Sequence, residues 1–159
     1  NESLPFRYRI LDSKVYEIAY ANVAYTISVN DYFVNTRADG SMPYFEFCTH
    51  VKQEQCKMAK SGYVQETYNN TTIVNDIYCS CVPWIDFVSA QQPIPDHMPE
   101  SSCIPRVCWG KYTKSKWSRN TYITMNITAS HALVDGQDMA RVFMRLQEVF
   151  NNPNMLTKE

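Results

Sequence analysis

His131 stands four positions before Asp135-Gly136, and Ser80 sits in the short strand-like run Ile77-Tyr78-Cys79-Ser80-Cys81. An imidazole, a hydroxyl and a carboxylate are groups that proton transfer and oxyanion chemistry use. An imidazole with an ordinary pKa of about 6.5 is mostly neutral at physiological pH and can take a proton from an alcohol. A serine hydroxyl held on a strand can donate to a developing oxyanion. A carboxylate just after the histidine can hold the geometry of that turn. Each residue also has a plainer reading. His131 could be a surface ring in a turn, Ser80 a small polar residue tolerated in a strand, and Asp135 a helix N-cap. Gly136 would supply a backbone conformation or a close approach that a Cβ would block. The other two histidines have poorer settings, and both are expected to face solvent. His50 lies in a candidate helix and His97 in a proline-rich loop.

The flanking pattern places His131 at a strand end. Thr121 to Thr128 alternates, with Tyr122, Thr124, Asn126 and Thr128 on one face and Ile123, Met125 and Ile127 on the other. That is the period of a half-buried strand. After the turn, Met139, Val142, Phe143, Leu146, Val149 and Phe150 recur at helical spacing, and Asn151-Asn152-Pro153 stops the helix. Earlier in the chain, residues 6–11 and 14–20 read as strands around the turn pair Asp12-Ser13, and 23–29 as another, with 31–34 continuing it or leading out. Tyr44, Phe47, Cys48, Val51 and Cys56 predict a helix over about 42–60, closed at Gly62. A polar loop over 64–76 and the apolar strand 77–81 follow. Pro83 then starts a separate bend, and 91–105, with four prolines, reads as irregular loop. Residues 105–112 and 117–128 form a hairpin across a basic turn. Hairpins with two helices suggest one α+β domain over 1–159, a two-layer sandwich.

Four segments resemble the chloramphenicol acetyltransferase family of coenzyme A-dependent acyltransferases. Ser130-His131-Ala132-Leu133-Val134-Asp135-Gly136 resembles its His-x-x-x-Asp-Gly signature. Cys79 to Phe87 resembles its Ser-x-x-Pro-Trp-x-x-Phe segment, Ile104 to Tyr112 a block ending in Lys-Tyr, and Phe6-Arg7 the Phe-Arg pair opening its central region. The blocks keep the family order and span nearly the whole chain. The resemblance implies a mixed β-sheet with helices on one face, and a homotrimer with active sites between subunits. It implies an acetyl-CoA-dependent O-acetyltransferase acting on chloramphenicol or a similar small alcohol, an antibiotic-resistance activity with direct transfer and no metal. His131 would be the general base, Ser80 the oxyanion donor, and Asp135 the residue holding active-site geometry. Lys111 would meet the 3′-phosphate of coenzyme A, and Tyr112 its adenine. The family carries a substantial portion before its Phe-Arg pair, with part of the acceptor pocket and an arginine that pairs with the Asp135 position. The chain is therefore expected to be N-terminally incomplete relative to the family.

The chain departs from the family at Ser130, where the acetyltransferases carry a second histidine. It departs again at Cys108, where they carry threonine, and in the loop from Phe87 to Pro105. Three alternatives stand beside the leading reading. One is an acyltransferase of the same fold with another small acceptor. Another is a non-catalytic binding or assembly domain that keeps the motif. The third is the acyltransferase core of a 2-oxoacid dehydrogenase complex, which usually has Asp-His-Arg at the Ser130-His131-Ala132 position.

Bulk composition narrows the partners. With 15 basic and 16 acidic residues the net charge is −1, which gives no electrostatic case for nucleic acid or an anionic membrane. Lys111, Lys114, Lys116 and Arg119 crowd one hairpin stretch, either as a patch for a phosphorylated cofactor or as a solvated turn. Six cysteines without a Cys-x-x-Cys pair or histidine cluster make zinc unexpected, and buried reduced thiols are the default. Trp84, following a proline, reads as a core anchor. No signal-peptide pattern or membrane-length apolar run is visible, so a cytoplasmic protein is expected.

Overall fold

A computed structural model describes residues 1–29, 32–61, 75–94 and 99–157. The expected helix end at Gly62, the polar loop as far as Val74, and His97 lie outside these residues. The chain opens with a 3-10 turn, Leu4–Arg7, and the hairpin β1 (Tyr8–Leu11) and β2 (Lys14–Glu17). Asp12 and Ser13 carry φ of 48° and 60°, the left-handed pair that a two-residue hairpin turn needs. The main sheet has five strands: β3 (Asn22–Val29), β4 (Tyr32–Ala38), β5 (Asp76–Cys81), β6 (Arg106–Lys114) and β7 (Thr121–Thr128). Their order is β4-β3-β5-β6-β7. The β3–β4 and β6–β7 pairs are antiparallel, whereas β5 runs parallel to both β3 and β6. The fold is the expected α+β arrangement with a mixed sheet.

Alternation sorts the sheet into two faces. Cys79, Val107 and Ile127 share one row, so they point the same way as Ile77 and Met125. Helix α2 (Gly136–Asn151) covers that face through Val142, Leu146 and Val149. Helix α1 (Tyr44–Ser61) lies on the same side, against β3 and β4, with Glu54 near Tyr25. The opposite face carries Ser80, Cys108 and Asn126 in one row. It is exposed at Thr26, Ser28, Phe33 and Asn35 and buried at Ala24, Arg106 and Cys108.

The inner stripe of α1 differs from the expected one. Phe47, Val51, Glu54 and Met58 are half-buried, whereas Tyr44 and Cys56 are exposed. A step of 100° per residue carries position 56 well off the line through 47, 51, 54 and 58. His50 is half-buried rather than solvent-facing. The six thiols are free. Only Cys103 and Cys108 are buried, and Cys56 and Cys81 are exposed, which corrects the expectation of uniformly buried cysteines.

One end of β5 is tied down by charge. Asp76, whose side chain is 1% exposed, accepts from Arg37 Nη2 at 2.6 Å. Arg9, fully buried, donates Nη2 to the Asp76 carbonyl at 2.8 Å and Nη1 to the Phe6 and Tyr8 carbonyls. Arg106 donates to the Ile104 carbonyl and Ser101 Oγ, with its guanidinium 5.4 Å from the Tyr78 ring centre. These bonds satisfy buried guanidinium groups that would otherwise be costly.

Candidate active site

His131 sits in the turn between β7 and α2. Leu133 and Val134 both donate their N–H to the Ser130 carbonyl at 3.0 Å, and the buried Val134 side chain anchors the turn. The ring is exposed, with Nδ1 3.3 Å from the Val134 carbonyl. A carbonyl only accepts, so this contact assigns the proton to Nδ1 and leaves the Nε2 lone pair free. The holder of the ring is a main-chain atom, so no side-chain signature in the sequence marks it.

Asp135 is the N-cap of α2. One of its oxygens accepts from Gln137 N at 2.8 Å and Asp138 N at 2.9 Å, and the Asp138 carboxylate in turn accepts from Asp135 N. This reciprocal capping box fixes the entry of the helix and with it the turn that carries His131. The Asp138 N–H, followed by that of Gln137, holds the Asp135 carboxyl below its ordinary pKa. Among the described residues no arginine forms an ion pair with Asp135; Arg141 pairs with Asp138 instead. Asp135 acts on the candidate base by shaping its loop, and it makes no direct hydrogen bond to the ring. Gly136, the first residue of α2, has nothing within 4 Å of an added Cβ, so no close approach explains it.

Ser80 is half-buried near the upper end of β5, and its hydroxyl makes no hydrogen bond among the described residues. Its row on the open face contains Cys108 of β6 and Asn126 of β7. Burial raises the Cys79 thiol to about 11, and burial, with Cys81 nearby, raises that of Cys108. The Cys79 and Cys108 thiols are therefore protonated and poor nucleophiles.

Ser80 and His131 do not meet within one chain. Asn126, on the row of Ser80, is two strands away, roughly 10 Å. From there β7 runs two further residues away from that row before the turn begins. The structure therefore brings His131 and Asp135 into one turn and leaves Ser80 at another end of the sheet.

Lys111 and Tyr112 lie on β6 beyond the end of β5, and both are exposed. A register shift between Trp109 and Tyr112 pairs Tyr112 with Ile123, so Tyr112 falls on the helix side of the sheet, opposite to Ser80. The bend after Pro83 packs along this overhang. Lys111 N donates to the Ile85 carbonyl at 2.8 Å, and Thr124 Oγ1 donates to Asp86 Oδ1 at 2.9 Å. Gly110 makes the approach possible, because a Cβ there would stand 2.9 Å from the Ile85 carbonyl oxygen and 3.1 Å from the Phe87 ring. Trp84 is 69% exposed rather than a core anchor, because the bend turns it outward.

A cavity of about 800 Å³ opens between α2 and the sheet, lined by Ile77, Val107, Met125, Val142, Leu146 and Val149 among others. It contains none of the five predicted site residues and offers mostly apolar wall. Glu2, Asp138, Arg141 and Arg145 are the charged side chains in its lining. Among the described residues there is no cluster of histidine, cysteine or acidic groups that could hold a metal, and no helix is long and apolar enough to cross a membrane.

No protein-family model matches the sequence, and neither does any curated protein sequence. Solved structures do match the fold. A chloramphenicol acetyltransferase superposes with a TM-score of 0.71 at 18% identity, over 87% of this chain and 66% of its own. The dihydrolipoamide acetyltransferase of Azotobacter vinelandii gives 0.69 at 11% identity, over 98% and 65%. A truncated catalytic core of the 2-oxoacid dehydrogenase complex from Thermoplasma acidophilum gives 0.67 at 14%, over 96% and 68%. The chain thus has the acyltransferase fold of these proteins and spans about two thirds of their length.

Proposed function

We propose that the protein is an acetyl-CoA-dependent O-acetyltransferase whose site is completed by a neighbouring copy of the chain in a trimer. His131 is the base, with its Nδ1 proton held by the Val134 carbonyl and its ring exposed. That held, exposed ring carries the proposal. Nε2 removes the proton of an acceptor hydroxyl while its oxygen attacks the thioester carbonyl. The tetrahedral oxyanion takes a hydrogen bond from Ser80 Oγ of the adjoining copy. Collapse breaks the carbon–sulfur bond, and the imidazolium returns its proton to the departing thiolate. Ester and coenzyme A thiol leave, and no acyl-enzyme forms. Lys111 and Tyr112 receive the phosphate and adenine of the donor.

The similarity in fold to enzymes that transfer acetyl groups supports this reading. In the Azotobacter enzyme a serine, a histidine and an asparagine four positions after the histidine were investigated for their catalytic roles. Asp135 stands four positions after His131 here. Chloramphenicol is the proposed acceptor, and resistance to it in the cytoplasm the proposed consequence. Cys108 beside Ser80 favours an acceptor wall less polar than the family's threonine provides, so a different small alcohol is the second reading. The test is to incubate the complete gene product with acetyl-CoA and chloramphenicol, then with a panel of small alcohols, and to follow free thiol. Release with chloramphenicol supports the first acceptor, and release with another alcohol only supports the second. No release with any acceptor refutes the enzymatic reading in favour of a binding or assembly domain.

A further inference from the structure

We infer that the tip of the β6–β7 hairpin is a second anchor for the acyl donor, gripping its phosphorylated nucleotide end through Trp117, Lys116 and Arg119. The inference rests on the reading that the donor is a coenzyme A thioester, and it adds a contact beyond Lys111 and Tyr112.

Charge is the first observation. No aspartate or glutamate occurs between Glu100 and Asp135, whereas Lys111, Lys114, Lys116 and Arg119 fall within nine positions. All four cations are exposed, and none forms an ion pair with a described residue. The Asp86 carboxylate, bonded to Thr124 of the same hairpin, offsets one of these charges; the remaining positive excess repels itself, and a polyanion relieves that. Coenzyme A brings a matching set of charges in its 3′-phosphate and diphosphate.

The second observation is the tryptophan. Trp117 is 96% exposed at the very end of the hairpin. A large apolar ring in that position loses burial free energy that most tryptophans gain. The tip is nonetheless ordered by its own bonds. Ser115 Oγ accepts from Trp117 N and Ser118 N at 3.1 Å, Ser118 Oγ accepts from Asn120 N at 3.2 Å, and Ser115 N closes on the Asn120 carbonyl at 3.0 Å. A flat ring held outward between cations is the chemistry that stacks a base and neutralises its phosphates.

The third observation is reach. β5 ends at Cys81, level with Trp109, while β6 continues to Lys114 and β7 begins at Thr121. The hairpin therefore overhangs Ser80. From the row of Ser80 and Asn126 to Thr121 is five residues of strand, roughly 17 Å. The bend from Ile85 to Phe87 packs along the base of this overhang, so a thioester placed at Ser80 passes its pantetheine arm outside the bend to deliver its nucleotide to the tip.

The test measures binding by calorimetry with three probes: coenzyme A, adenosine 3′,5′-bisphosphate and pantetheine. Trp117→Ala is expected to weaken both nucleotide-bearing probes by about tenfold, the worth of one stacked base. The double variant Lys116→Gln/Arg119→Gln is expected to weaken them similarly and to flatten the salt dependence. Pantetheine, and the rate with S-acetylpantetheine as donor, should not change. Circular dichroism checks that each variant is folded. Parental affinity for coenzyme A in both variants overturns the anchor while leaving the donor reading intact. A parent protein that binds the bisphosphate through the tip but not coenzyme A keeps the anchor and sinks the donor reading. Binding of neither nucleotide by the parent overturns both.

Discussion

Placing Ser80 and His131 at separate ends of the sheet makes a quantitative demand. Neither His131→Ala nor Ser80→Ala alone should turn over at the parental rate. Loss of a general base costs about 10²–10⁴ in rate and loss of an oxyanion donor about 10²–10³. The Ser80 effect should fall on kcat rather than on the KM for acetyl-CoA, because the donor acts in the transition state. If each site takes His131 from one copy and Ser80 from the next, an equimolar mixture unfolded and refolded together will form some sites from two intact residues. In a cyclic head-to-tail assembly each interface draws both neighbours at random, so about one quarter of sites are whole. The mixture should therefore recover about a quarter of parental activity, at least tenfold above either variant. Thiol release with a saturating acceptor reads this directly, and the two variants mixed without refolding are the control. A refolded mixture no more active than the average of its parts would refute the division of the site between copies.

Three further outcomes follow from contacts already described. Asp135→Ala should lower kcat by loosening the turn that carries His131, whereas Asp135→Asn keeps a capping oxygen and should retain most activity, as read by steady-state assay. Because the folded pKa of Asp135 is depressed, its contribution to stability is complete above the ordinary 3.8 and is lost as pH falls through the lower folded value, so acid should depress the parental melting temperature more than that of Asp135→Asn. Arg37→Met removes the ion-pair partner of a buried carboxylate and should cost about 3 kcal/mol in denaturant unfolding at neutral pH, the low end of such losses because Arg37 keeps 26% exposure. Burial already raises the Asp76 pKa, and without Arg37 it rises further, so this deficit should shrink as pH falls; a variant as stable as the parent would contradict the buried pairing. Gly110→Ala should cost about 1–3 kcal/mol in thermal or denaturant unfolding, because the Ile85 main chain must move to admit the methyl group.

Periodic signals carried most of the architecture. The alternation of Thr121–Thr128 and the helical spacing of Met139 to Val149 located β7 and α2, and both stand where the spacing puts them. Asp135 as an N-cap was readable because capping is local chemistry. Contacts across the sheet were not readable. Nothing in the order of residues announces that Ser80 shares a row with Asn126 or that the Val134 carbonyl holds His131. The exposure of Trp84 likewise depends on which way a bend turns. The extra residue in β6 defeats simple counting, since strict alternation from Trp109 would put Tyr112 on the side of Ser80. Cys56 failed because amphipathic spacing over 18 helical residues fits more than one stripe when the helix is only half-covered.

The position of β5 has a consequence in time. The strand bearing Ser80 pairs with β3 and β6, and neither partner is near it in sequence, since Asn22 lies opposite Asp76 and Tyr78 opposite Arg106. Its start is locked by Arg9, 67 positions away. Two parallel pairings and a long-range guanidinium contact must close before this strand has a fixed register, the kind of topology that folds slowly. Until then the edges of β3 and β6 stand open to any other strand, including one from a second chain. Residues near the N-terminus and residues beyond Glu100 thus share control of when Ser80 is in place, and substitutions at Arg9, far from the turn of His131, should slow the appearance of the assembled sheet in refolding.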